Sequence, residues 1–333
     1  MGRSGDLDFH RPAPVRWNLP GRGIHLGEPT RHGVGSEACT ERVVQSAASL
    51  GTAGISLVTL AVLLVLPAKG LDSPYLQWGW RIPFLVGAVM AFALAYYCKN
   101  SVDESEIWRK ADKTTNATAP IKMLLTGENL RSFLQVFVVM TGFWLLLNAS
   151  LALMPGLLAS QMGVASVETT IALVIAYLAL AAVYVASGAI SQRIGRRAYL
   201  LIASASAATL GTLCYYLLLN TAPGNLFKIT LLTTITTVLV VAPGALSTVY
   251  INERFRTSVR ASGFGLGYSL AIILPAFYVF YQAWLANFMP FKYTVLVLVV
   301  VGALLVFIGA AWGPETKEVD FGPVALRNNN EKS

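Results

Sequence analysis

The sequence predicts an all-α integral membrane protein with eight membrane-spanning helices, and three observations predict it. The first is composition: of 333 residues, 55% are hydrophobic and only 13% charged, with mean hydropathy +0.59. A soluble domain carries charge on nearer a quarter of its residues. The second is where the charges lie. Eight apolar runs contain no Asp, Glu, Lys or Arg, so all 25 basic and 17 acidic residues fall between the runs or in the tails. A charge at the bilayer centre costs roughly 2.5–3.5 kcal/mol on insertion scales, so lipid selects this exclusion. The third is the partition of Lys and Arg between alternate connecting segments, taken up below.

The elements follow in order. Residues 1–44 are rich in Gly, Pro, Arg and His, lack apolar periodicity and offer no hydrophobic region for a signal peptide. That composition predicts a poorly ordered tail. The spans are expected near 45–66, 82–98, 132–153, 169–188, 198–219, 229–250, 261–284 and 293–312. Each is close to the ~20 residues that cross a ~30 Å hydrocarbon core at 1.5 Å per residue. Lipid cannot satisfy the backbone of a lone strand, and the runs are continuous rather than alternating, so helices are expected rather than barrel strands. Residues 99–131 form the longest connection, charged and without an apolar span. It separates two helices (45–98) from six (132–312), and residues 313–333 form a second tail.

With the N-terminus in the cytoplasm, 21 of the basic residues fall on the cytoplasmic side, and four (Lys69, Arg81, Lys228 and Lys292) fall on the other. This bias predicts a multi-pass protein with both termini inside. Tyr75, Trp78 and Trp80 before the second span, and Trp284 at the end of the seventh, stand where interfacial rings are expected.

Other classes find little support. The net charge of +8 is spread over short loops, which reads as topology and not as a nucleic-acid surface. Cys39, Cys98 and Cys214 offer no paired spacing, and His10, His25 and His32 all lie in the tail. Neither a disulfide framework nor a metal site follows, and no cofactor is expected. With no His cluster or serine elbow, an enzyme is disfavoured. Asn116-Ala117-Thr118 is a glycosylation sequon on the expected cytoplasmic side, where it carries little weight.

Two short loops hold the sharpest patterns. Gly188-Ala189-Ile190-Ser191-Gln192-Arg193-Ile194-Gly195-Arg196-Arg197 is a tight basic turn. Gly195 would allow the chain to reverse, and the arginines could hold carboxylates or helix C-terminal carbonyls. A plain positive-inside turn is the alternative. Tyr250-Ile251-Asn252-Glu253-Arg254-Phe255-Arg256-Thr257-Ser258-Val259-Arg260-Ala261-Ser262-Gly263 leads into a helix carrying Gly265, Gly267 and Tyr268. No strand precedes these glycines, so they read as helix packing and not as a nucleotide loop.

The first string resembles the major facilitator superfamily signature Gly-x-x-x-Asp-Arg-x-Gly-Arg-Arg, with Gln192 where the family usually has Asp. The second resembles the loop between helices ten and eleven of its metabolite–proton symporter branch, with Arg256 replacing the usual Pro. Trp78-Gly79-Trp80-Arg81-Ile82-Pro83-Phe84 is similar to the start of that branch's sixth helix, and Gly313-Pro314-Glu315-Thr316-Lys317 to the end of its twelfth. The resemblance covers roughly 45–320. It implies a partial major facilitator fold in which the eight spans are helices five to twelve and residues 99–131 are the central connector.

What the resemblance implies is a proton-coupled carrier of small polar metabolites that rocks two halves about a midplane site. Its cytoplasmic gate motifs would comprise Gly188, Ser191, Arg193, Gly195, Arg196, Arg197, Glu253, Arg254, Arg260 and Gly263. Polar or aromatic residues within the spans that could line a substrate cavity are Gln135, Trp144, Asn148, Tyr177 and Tyr268. Asn148 could equally join helices. Pro243-Gly244 and Pro275 interrupt helices and could flex. The spans hold no titratable carboxylate or His, and Glu168 and Glu253 lie at rims. The coupling group is therefore expected in helices outside these eight, which a second chain could supply. A transport-inactive remnant, or a membrane partner protein, is the alternative, drawn from the abrupt change near residue 44.

Overall fold

A computed structural model describes residues 57–65, 72–101, 124, 126–255 and 260–316. The tail 1–44, most of the first expected span, the centre of the long charged connection, the stretch 256–259 and the tail beyond 316 lie outside the described residues. Within them every regular element is helical.

Seven helices are long and apolar enough to cross a membrane: α2 (Tyr75–Tyr97), α3 (Asn129–Gln161), α4 (Ser166–Ile194), α5 (Arg196–Leu219), α6 (Leu226–Arg254), α7 (Ser262–Leu285) and α8 (Phe291–Trp312). Residues 57–65, here α1, are helical and represent the first expected span. Several helices outrun their apolar runs, because polar groups at the ends satisfy free backbone donors and acceptors. At the start of α6, for example, the Asn225 side chain accepts from the Lys228 amide.

α3 departs most from expectation. Instead of ending near 153 it continues to Gln161 through two π-helical turns, Asn148–Ala152 and Leu157–Gln161. The i→i+5 bond from Leu153 N–H to Asn148 O carries the first. α6 breaks at Pro243, where Ala242–Leu246 forms a 3-10 turn. α7 is interrupted around Pro275.

α3 packs most extensively on α8, and α4 on α6. Glycines set the first contact. A Cβ on Gly142 would meet the Gly302 carbonyl and lie 2.8 Å from both Leu305 Cβ and Val306 N, while Gly309 faces Val139. Small residues let the two backbones meet, which is the main source of helix association in lipid. At the α6 break the Phe143 ring occupies the space a Gly244 side chain would need. The Tyr199 hydroxyl, 3.1 Å from the Ala242 carbonyl and 2.6 Å from Ser187 Oγ, joins α5 to the same break and to α4.

α2 is different. In the 18-residue apolar stretch of each helix, 50–61% of residues are buried for α3, α4, α6 and α8, against 11% for α2. Every residue from Ala88 to Tyr97 is exposed. Ten residues make nearly three turns, so no face of this part of the helix is covered by the described chain.

Candidate functional site

The residues of the two loop motifs meet at one end of the bundle, where α4, α5, α6 and α8 terminate. α4 runs to Ile194 and α5 begins at Arg196, so Gly195 alone makes the turn. Its φ of +100° is a conformation that L side chains rarely adopt. A Cβ there would also strike the Glu315 carboxylate.

Glu315 sits on the N-terminus of α5. Its Oε1 accepts from Arg196 N–H at 2.7 Å and its Oε2 from Arg197 N–H at 3.1 Å. An anion is favoured there because the first amides of a helix are free and the helix dipole is positive. A residue more than a hundred positions away thus caps the helix.

Arg196 is buried, with 4% of its surface exposed, and its guanidinium is shared between two helices. NH1 donates to Ser191 Oγ at 2.6 Å, while Nε and NH2 approach Glu253 Oε1 at 3.4 and 3.3 Å. Ser191 Oγ in turn donates to the Gly188 carbonyl, and Thr316 Oγ1 donates to Glu253 Oε2 at 2.7 Å. A buried arginine requires this pairing, since an uncompensated charge there would be strongly destabilising. Arg197 reaches the last turn of α8, donating to the carbonyls of Ala310 at 3.3 Å and Ala311 at 2.8 Å. The cluster therefore holds both kinds of acceptor expected for these arginines, carboxylates and C-terminal carbonyls.

Beside it lies a second knot. Gln135 on α3 is 1% exposed; its Nε2 donates to Tyr250 Oη and to the Gly309 carbonyl, both at 2.7 Å, and its Oε1 accepts from Arg254 Nε at 2.8 Å. Gly263 is held against the buried Phe255 ring, which a Cβ would meet at 2.7 Å. Arg193 is on the exposed side of the last turn of α4, and Gln192, standing where the family has Asp, is half-buried. The Arg260 side chain lies outside the described residues.

The five residues expected to line a cavity occupy three places. Gln135 belongs to the knot just described. Trp144, Asn148 and Tyr268 form a seam between α3 and α7: Trp144 Nε1 donates to the Tyr268 carbonyl at 3.1 Å, their rings are 5.0 Å apart edge to face, and Asn148 Nδ2 donates to the Pro275 carbonyl at 3.2 Å. Asn148 thus reaches across from α3 to the α7 break. Tyr177, on α4, lines a separate cavity beside α1.

Sequence reasoning missed Glu315, Thr316 and Tyr250 as members of the cluster. The Gly-Pro-Glu-Thr-Lys string was the available signal for the first two; Tyr250 opens the second loop string but was given no role there. Among the described residues no three His, Cys, Asp or Glu side chains converge as a metal site would require. The cluster offers charge-assisted hydrogen bonds between helix ends and no nucleophile–base pair, so it can hold or release helices but performs no bond chemistry.

Comparison with known proteins points the same way. The sequence profile of the Major Facilitator Superfamily matches residues 43–267. The alpha-ketoglutarate permease of Escherichia coli is 26% identical over 219 residues, covering 66% of this chain and 49% of its own. The inner membrane metabolite transport protein YhjE of Escherichia coli is 27% identical over 211 residues, 62% of this chain and 47% of its own. A Haemophilus influenzae relative is 26% identical over 258 residues, 73% and 57% respectively. The chain spans about half the length of these curated relatives.

Proposed function

The chain belongs to the Major Facilitator Superfamily, whose members are carriers and not enzymes, and on that premise we propose that it serves proton-coupled uptake of a small polar metabolite across the cell membrane. The observation that carries the reading is the arginine–carboxylate cluster, built from the same loops that resemble the family's gate motifs. Clamping the ends of α4, α5, α6 and α8, it makes them move together, as one half of a rocking carrier must. The names of the Escherichia coli relatives, a permease for alpha-ketoglutarate and a metabolite transport protein, support a small-metabolite substrate.

In this reading the arginine-rich end and both termini face the cytoplasm, following the 21-to-4 division of Lys and Arg. Trp144, Asn148 and Tyr268 contribute to the substrate path, while Gln135 acts from the cytoplasmic rim. The coupling proton is carried on helices other than these eight spans. The competing reading is a transport-inactive remnant or membrane partner, favoured by the uncovered faces of α2.

Reconstitution into liposomes separates these. The carrier reading expects accumulation of labelled small polar metabolites, 2-oxoglutarate among them, under an inward proton gradient when the chain is co-expressed with a protein carrying four further helices. No uptake with or without such a partner selects the remnant. Proton-coupled uptake by this polypeptide alone would refute the placement of the coupling group outside it.

A further inference from the structure

At the opposite end of α4 from the arginine cluster, about 36 Å along the helix at 1.5 Å per residue, lies a cavity of about 380 Å³. It is a cleft bordered by α1, by the turn that opens α2, by the end of α3 and by the first turns of α4. This volume is within the usual range of small-molecule sites.

Its chemistry is unusual for a carrier whose relatives include one named for a dicarboxylate. Among the described residues the polar lining consists of hydroxyls, from Thr59, Tyr75, Ser166, Thr169, Thr170 and Tyr177, and no charged side chain lines it. The remaining walls are Ala and Pro with leucines such as Leu63 and Leu173. Hydroxyls donate and accept equally well, so they match a ligand that does both. A carboxylate entering here would find no cation to offset its lost hydration, and Glu168 stands in the same turn of α4 as Ser166 and Thr169.

We propose that this cavity binds an uncharged, polyhydroxylated small molecule of single-ring size. The ligand's C–H faces rest on the leucines while its hydroxyls pair with those of α4 and with Tyr75. The assignment is independent of transport, because it concerns occupancy alone.

The test is calorimetric titration of the full-length protein in lipid nanodiscs with myo-inositol as the neutral probe, 2-oxoglutarate as the anion and choline as the cation. Saturable myo-inositol binding is expected, weakened at least tenfold by Tyr177→Phe, and displaced by neither charged probe. Because a buried substitution can disturb folding, Ala159→Trp provides a second arm: Ala159 lines the cavity from an exposed position, and the indole should fill the space and abolish binding. Absence of saturable myo-inositol binding, unchanged affinity in Ala159→Trp, or displacement by either charged probe would overturn the proposal.

Discussion

α2 and α8 are both strongly apolar helices of about the same length, yet one is half-buried by its neighbours and the other is almost bare. The difference lies in small residues and polar ends. α8 brings Gly302 and Gly309 against α3, receives Gln135 on the Gly309 carbonyl, and offers its last carbonyls to Arg197. α2 holds Gly87, Ala88, Ala91, Ala93 and Ala95, but Gly87 is only half-buried and every residue from Ala88 to Tyr97 is exposed. Apolar character places a helix in lipid. It does not by itself attach the helix to another, since lipid tails are as apolar as leucine.

Substitutions can break or sharpen this contrast. The largest effect is expected from Gly142→Leu. Its side chain would enter the space of the Gly302 carbonyl and Val306 N, backbone atoms that cannot rotate away. Overpacking alone costs about 1–3 kcal/mol, and here the α3–α8 contact should be lost, seen as aggregation on size-exclusion chromatography. The equivalent Gly87→Leu on α2 should leave the elution unchanged.

Next comes Glu253→Ala, which strands a buried guanidinium and removes the acceptor of Thr316. Breaking a buried pair costs about 3 kcal/mol or more, so the thermal midpoint in detergent should fall clearly. Adding Arg196→Met should restore part of the loss, because the unpaired charge is then gone. A double variant no better than the single would show that the pair is not what holds these helix ends.

Gln135→Leu removes three hydrogen bonds between α3, α6 and α8 at once. About 2 kcal/mol is expected, at the usual cost of leaving buried polar groups unsatisfied. Phe92→Ala on α2 should be the mildest, within about 0.5 kcal/mol, as for surface positions generally. A larger drop would reveal a partner for α2.

These residues also mark how far the sequence could be read. The spans were legible because lipid forbids charge over a fixed length, a constraint that each segment meets by itself. The turn at Gly195 was legible for the same reason, being local. Gln135 was read as a possible cavity residue, and its bond to Arg254, 119 positions away, is a pairing that no periodicity records. The extension of α3 to Gln161 was missed because Pro155 and Gly156 look like a helix end, whereas the π-helical turns on either side of them carry the helix on. Glu315 is similar: Pro-Glu-Thr marks the end of α8, but its use as a cap for α5 depends on how two helix ends meet.

The central claim, that α3 to α8 form a packed body from which α2 stands apart, is tested most directly by spin-label accessibility in nanodiscs. Labels placed singly at consecutive positions 88–97 of α2 and 298–307 of α8 in the full-length chain would be read for collision with lipid-soluble oxygen. Accessibility should be uniformly high along α2 and should oscillate with a 3.6-residue period along α8, with minima at Leu298, Val299, Gly302, Ala303 and Val306. A 3.6-residue period of protection along α2 would contradict the account.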